Sequence, residues 1–582
     1  MKPIYIFCTA LLIIGTACNK ELLEQTPQSN ISDADFWKTS NDLKLYTNNF
    51  YALLPAYRGF GTIGIYGLDA DEGSDNMIYN GYNTTMNGEG VVPASGGGWA
   101  WGNLRTINYF LTNYQKVQDP WDNVKTYVGE AYFFRSWFYF DMLKRFGDLP
   151  WINKPLFTDS EELYNERLKR NIVVDSILSD LDKAIEYLPT KSKAEANRLT
   201  KEAAMIFAAR IALYEGSWEK YHAGTPFGVS GQNGDPFFTK AVELTNALMA
   251  SNVHRLDNAG SPDGYWRLFN QSNYSGSNEI MFWRRFDAVL GIAHNWHRYT
   301  NTGAARGLTK DLVDAYLSKD GLPISTSPLY KGDATLLDVA TDRDPRLAQT
   351  IYLPDGNHFI TSSQPGGLPN ILFTVPSFGL ANENKPATGY QVYKGHNPEY
   401  AQQFNAEQGI TAVIYFRYAE ALLINAEAKA ELGTLSQEDL NKTVNLLRQR
   451  VGMPILNMAS IPTDPKQEFP QLSPLLNEIR RERRIELACE GFRHDDLFRW
   501  AVAGQKIKGW KPKGAKKAQW EGQVAASLLN PYPVDEQGYI ELFKNVGALS
   551  NGYNFNPNRN YLFPIPTGEI VLNPKLAQNP GW

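Results

Sequence analysis

Val174, Ile177, Leu178, Leu181, Ala184, Ile185 and Leu188 recur at the three- and four-residue intervals that line one face of an α-helix, and Pro189 ends the run. This predicts an amphipathic helix packed on a neighbour. Further helical segments fall over Glu130–Phe146, Lys201–Tyr214, Phe238–Ala250, Phe416–Leu432 and Gln437–Val451. Taken in order, they form antiparallel pairs: 130–146 with 174–188, 201–214 with 238–250, and 416–432 with 437–451. Ala203, Ala204, Ala208, Ala209 and Ala212, and again Ala419, Ala421, Ala426, Ala428 and Ala430, let helices approach closely. The expected fold is mainly α, a tetratricopeptide-like scaffold of helical pairs with irregular spacing.

Between Ser261 and Gln408 the texture changes to Gly, Pro, Asn and aromatic residues, with strand-like runs at Glu279–Phe286 and Leu347–Leu353. These read as loops and small β-hairpins laid over the helical frame. A second loop-rich stretch covers Gly59–Gly98. No boundary is sharp enough to define independently folding domains.

Lys2 followed by the apolar run Ile4–Ile14 has the order of a secretory signal and is too short to cross a bilayer as a helix. Gly15-Thr16-Ala17-Cys18 then places small residues before a cysteine, as at a bacterial lipoprotein cleavage site. The expectation is a signal peptide over 1–17, acylation of Cys18, and a polar tether to residue 35. Of the three cysteines, Cys8 lies in the leader and Cys18 carries lipid, which leaves Cys489 without a disulfide partner.

Formal charge is −5, with both signs mixed throughout, which argues against nucleic acid as a partner. The one basic cluster, Lys506, Lys508, Lys511, Lys513, Lys516 and Lys517 around Trp510 and Trp520, reads as a solvated loop. No nucleophile elbow and no phosphate-binding glycine loop is present, and His294-x-x-His297 lacks the spacing of a zinc-protease helix. No cofactor or metal is expected. The acidic run Asp69–Asn76 does not match a full Ca²⁺ loop, and carboxylates so close in sequence rarely straddle a sugar. It reads as turn-forming, with hydrogen bonding to sugar hydroxyls as the second account.

Aromatic residues make up 13% of the chain, with 14 Trp and 31 Tyr. A sugar presents C–H faces that stack on rings and hydroxyls that need polar neighbours. Trp101 is in phase with Leu104, Ile107, Leu111 and Tyr114 and packs beneath that helix; Trp99, after Gly96-Gly97-Gly98, is out of phase and is the surface candidate. Tyr79 and Tyr82 beside Asn80 and Asn83, Trp266 and Tyr274 beside Asn270 and Asn273, and Trp296 beside Asn295 complete a pocket expected from two loop regions. Asp75 is the acidic member. For each ring singly, core packing is an equal account.

The most specific stretch is Glu478–Trp500, EIRRERRIELACEGFRHDDLFRW, read from its charges as a paired, partly exposed helix turning at Gly491. Its order resembles the C-terminal signature of the SusD/RagB family of outer-membrane nutrient-binding lipoproteins. Glu130–Trp151, Arg198–Trp218, Tyr415–Gly433 and Leu562–Trp582 resemble the family in the same order. The resemblance implies an N-terminal helical region over 36–260 and a C-terminal region over 261–582 with the loop-rich insertion. It further implies a non-enzymatic, outward-facing lipoprotein that binds oligosaccharides and delivers them to a SusC-like TonB-dependent transporter. A peptide-binding member, a surface glycosidase and a purely structural helical scaffold are the alternatives.

Overall fold

The computed structural model describes residues 36–57, 70–257, 262–380 and 384–582. The leader, Cys18, the tether and the start of the Gly59–Gly98 stretch lie outside them. Helix α1 (Ser40–Asn48) opens on a capping box, in which the Thr39 hydroxyl accepts from the Asp42 amide and the Asp42 carboxylate accepts from the Thr39 amide. The scaffold then runs through α2 (Gly102–Asn113), α3 (Trp121–Phe146), α4 (Arg170–Tyr187), α5 (Lys201–Tyr221) and α6 (Asp235–Ala250). Gly147 at φ 71° ends α3, and the Thr200 hydroxyl caps α5. Consecutive helices from α3 to α6 pack side by side, and their apolar faces form the larger core.

Arg–carboxylate pairs, buried or half-buried, clip the layers together. Arg135 of α3 grips Asp180 of α4 at 2.6 and 2.7 Å, and Arg170 of α4 meets Glu215 of α5 at 2.7 Å. Arg210 of α5 reaches Glu420 at 2.6 and 2.7 Å. Burying these charges is tolerable only because each is paired with good geometry.

Three two-stranded antiparallel ribbons cover the frame: β1 (Met77–Tyr79) with β3 (Arg306–Leu308), β2 (Ile280–Arg284) with β6 (Val413–Arg417), and β4 (Phe359–Thr361) with β5 (Ile371–Leu372). The strand expected at 347–353 does not form. Asp344 accepts from the Arg346 amide ahead of Pro345, which starts a helical turn at Pro345–Ala348, and Ile351 makes only an isolated bridge to Val392.

Helix α7 (Tyr418–Glu431) packs chiefly on α6 and on α10 (Pro474–Glu486), rather than on the segment that follows it. That segment, expected as one helix, divides at Thr443 into α8 (Gln437–Lys442) and α9 (Val444–Arg450). The Thr443 hydroxyl bonds back to the Asp439 carbonyl at the break.

Helix α10 is buried from Leu476 to Glu486, with only Arg481 half-buried, contrary to the partly exposed helix expected from its charges. Its carboxylates reach outward to other elements instead of pairing along the helix. Glu486 takes Arg346, Arg417 and Arg450 at 2.9, 2.7 and 2.5 Å, and Glu482 takes Arg346 and Arg448 at 2.6 and 2.9 Å. Among the described residues the pair made within α10 joins Arg481 and Glu478. After Gly491, α11 (Arg493–Arg499) sends Arg499 to Glu427 of α7, at 2.6 and 2.8 Å. The short helix α12 (Thr567–Leu572) lies near the C-terminus.

Candidate ligand-binding site

A cavity of about 470 Å³ lies where α2, the 150–167 connection and α12 meet. The connection is an Ω-loop: Leu149 and Leu168 exchange backbone hydrogen bonds of 3.1 and 2.9 Å, which bring its ends together. Two asparagines fasten its body. Asn108 of α2 donates to the Ile152 carbonyl at 2.9 Å and accepts from Arg135, so this anchor continues into the Arg135–Asp180 clip. Asn573, just past α12, donates to the carbonyls of Leu163 and Asn165 at 3.2 and 2.9 Å.

Trp99, Trp101, Leu104, Ile152 and Leu576 supply the apolar wall. Tyr164 stands at the mouth, 52% exposed, with Arg105 and Glu569 beside the opening. Lys154 and Glu162 close one side as an ion pair of 2.5 Å, and that hydrogen bond draws the Glu162 carboxyl below its usual range. An apolar, ring-bearing wall with a few polar groups at the rim is the usual form of a small-ligand site.

Trp99 does line this cavity, but it is 7% exposed and is not the free stacking platform expected. The rings of Trp101 and Phe146 stand nearly perpendicular to it at 5.2 and 5.0 Å. Gly96, Gly97 and Gly98 all adopt positive φ, and the turn they make returns the Trp99 amide to the Gly96 carbonyl, directing the indole inward. Trp101 is half-buried against Phe138 and Tyr139.

Asp75 is fully buried and so does not face a ligand. Burial works against its ionisation, yet the Arg484 and Arg493 guanidiniums hold it well below the usual carboxylate range. Asp71 accepts from the Cys489 and Gly491 amides at 2.7 and 3.0 Å. The acidic run is therefore a fastening between the loop before β1 and the turn after α10. Asp69 lies outside the described residues.

Trp266, Tyr274 and Trp296 are also buried rather than displayed on loops. Trp266 stacks on Tyr393 at 4.8 Å and its indole N–H donates to the Tyr393 carbonyl; Trp296 stacks on Tyr57 at 5.7 Å. Trp266 and Trp296 belong to a second core beneath the loop-rich region, where few helices are present and large rings supply the buried area. Tyr274, edge-on to Trp283, lines a separate cavity of about 250 Å³ with Asn273 and Arg267.

The remaining candidates do reach the surface. Tyr79 is 38% exposed, with the Arg306 guanidinium 4.9 Å from its ring centre, and Arg306 in turn donates to Glu72. Tyr82 and Asn83 are half-buried beside it in sequence; the Tyr82 hydroxyl bonds Glu89, and Asn83 accepts from the Met86 amide and donates its own to the Tyr553 hydroxyl. Asn80 donates its amide to Ala305, and Ala304 and Ala305 both hold left-handed φ, of 53° and 60°. The expected single pocket is thus divided among three places lined by different residues.

His294 and His297 both point at Thr411, at 3.0 and 2.7 Å, and burial lowers their basicity, His294 to about 4. Among the described residues no His, Cys, Asp or Glu cluster has the arrangement of a metal site. In the lysine cluster, Lys513 pairs with Asp535 and Lys516 with Asp333, while Trp520 is buried and Trp510 donates to Asp311. Tyr164, Arg105 and Glu569 had no periodic signal to mark them.

A profile of the SusD family matches residues 267–582, and one described as starch-binding and associating with the outer membrane matches residues 100–213. The chain belongs to the SusD family. Among its relatives, SusD-like protein P2 of Formosa agariphila is 26% identical over 594 aligned residues spanning all of both chains. SusD-like protein P38 of the same organism is 25% identical and covers 86% of this chain and 91% of its own. Among solved structures, a SusD-like carbohydrate-binding protein of Bacteroides fragilis aligns with a TM-score of 0.71 at 20% identity, covering 93% of this chain and all of that one. A laminarin-binding SusD-like protein aligns at a TM-score of 0.56 and 17% identity, covering 94% of this chain and all of that one.

Proposed function

We propose that this protein is a lipid-anchored, outward-facing protein of the outer membrane that captures oligosaccharides without cleaving them. It hands them to a SusC-like TonB-dependent transporter. The observation that carries the ligand class is the cavity between α2, the Ω-loop and α12, with Trp101 in its wall, Tyr164 at its mouth and Arg105 and Glu569 at the rim. Rings there stack on sugar C–H faces, and the rim groups bond hydroxyls. The laminarin-binding and carbohydrate-binding relatives support the same class.

The test is a glycan-array screen followed by calorimetry, using the protein beginning after Cys18 beside Tyr164→Ala, Trp99→Phe and Tyr79→Ala variants. We expect binding confined to one polysaccharide class and weakened at least fivefold by Tyr164→Ala. A loss confined to Tyr79→Ala would move the site to the β1–β3 ribbon. Affinity for peptides with none for glycans, or cleavage of labelled oligosaccharides, would overturn the assignment.

A further inference from the structure

The interior of the cavity between α2, the Ω-loop and α12 differs in chemistry from its rim. Among the side chains that line it, Trp99, Leu104, Pro150 and Leu576 are buried and apolar. The buried polar ones are Asn108 and Asn573, and both carboxamides are already engaged through nitrogen and oxygen. Asn108 donates to the Ile152 and Lys154 carbonyls and accepts from Arg135. Asn573 donates to the Leu163 and Asn165 carbonyls and accepts from the Lys575 amide at 3.1 Å. Lys154 and Glu162 are taken by each other. The polar side chains that remain, Arg105, Tyr164, Asn165 and Glu569, all reach solvent at the opening.

A sugar ring carries a hydroxyl on most of its carbons, and each one buried without a partner costs affinity. Such a ring is matched to the opening and poorly matched to the interior. An apolar group esterified to a sugar hydroxyl has no such requirement, and its burial is favourable in proportion to its area. The cavity of about 470 Å³ falls within the range of small-ligand pockets and is larger than a methyl or acetyl group needs. A longer acyl chain or an aromatic ring suits it.

We propose that the cavity selects esterified oligosaccharides: a sugar ring rests on Tyr164 at the opening, while an acyl or aryl group esterified to one of its hydroxyls fills the interior against Trp99, Leu104 and Leu576. This rests on the oligosaccharide reading above and narrows it to glycans that carry such esters.

The test is calorimetry of the protein beginning after Cys18 with glucose monobenzoate, glucose monohexanoate and glucose. At least one ester should bind no less than tenfold more tightly than glucose, the benzoate leading for an aryl occupant and the hexanoate for an acyl one. Gly102 lines the cavity, and a Cβ placed there meets nothing within 4 Å, so Gly102→Leu fills part of the space without a clash. That variant should lose the ester preference at least fivefold at an unchanged melting temperature. Esters bound no more tightly than glucose, or bound equally by the parent and Gly102→Leu, would overturn the proposal. Ester binding with no glycan recognised on the array would sink the oligosaccharide reading and keep the apolar site; glycans recognised without any ester preference would do the reverse.

Discussion

Asp75 and Arg493, 418 positions apart in the chain, meet as a buried two-point pair with distances of 2.6 and 2.8 Å. Through it the loop that leads into β1 is fastened to the first turn of α11. Arg484 of α10 joins the same carboxylate at 3.3 Å. The family signature at the end of α10 and in α11 is therefore a brace: its arginines hold the loop before β1 to the helical scaffold.

Removing Asp75 leaves Arg493, Arg484 and Lys506 to share the single carboxylate of Glu468. Asp75→Ala should destabilise the protein by about 3–5 kcal/mol, read as a lower urea midpoint. Replacing both residues by apolar ones, Asp75→Leu with Arg493→Met, should recover part of that loss. Equal stability for the single variant and the parent would show that the pair carries no net load.

Asn573 holds the Ω-loop by two carbonyls, and its own Oδ1 takes the Lys575 amide. Asn573→Ala should speed hydrogen exchange over residues 160–167 and weaken ligand binding several-fold. The melting temperature should change little, because the helical core is untouched. A global loss of protection would mean that the loop is part of the main cooperative unit.

Acid should destabilise the protein in two stages. Burial lowers His254, His294 and His396 to about 4 and His222 to about 3, so between pH 6.5 and 4 the unfolded chain binds protons that the folded one refuses. Stability falls with pH across that window, opposed by Glu219, which burial raises to about 7. Below about pH 4.5 the carboxylates add to the loss. Burial alone would raise Glu427, but Arg499 and Arg483 hold it down to about 2, so its contribution is fully present above the unfolded carboxylate range and is lost progressively as pH falls from there towards 2. Melting temperatures from pH 8 to 3 should show a shallow decline followed by a steep one; a flat profile to pH 4 would contradict the histidine stage.

Cys489 is buried, at φ 66°, and burial pushes its thiol far above the usual range. It should resist Ellman's reagent in the native state and react fully in urea. Rapid native labelling would show that the turn after α10 opens.

The scaffold helices were legible because a one-sided apolar stripe has a period, and Val174–Leu188 has only one way to be buried. Their ends were less so. α5 continues to Tyr221, and 437–451 breaks at Thr443, neither of which the apolar spacing marks. Site residues were harder. Trp266 and Trp296 carry the local look of exposed loop rings, and only their stacking on Tyr393 and Tyr57 reveals a core. Tyr164 looks like any polar-loop tyrosine until the Leu149–Leu168 clasp brings it to a cavity mouth.

Local order in the chain sufficed for what depends on neighbours a few residues away: the apolar stripes of α3 to α6 and their packing in sequence order, though not the pairing expected between α7 and the segment that follows it. Signature residues from Glu130 to Trp582 sufficed for the family. Which charges are buried, and which rings face solvent, was decided by contacts between distant segments. Arg493 finds Asp75, and Glu486 finds Arg346 and Arg417, only once the chain is folded. Burial of an ion or a ring is a property of the three-dimensional surroundings, and no spacing along the chain encodes those surroundings.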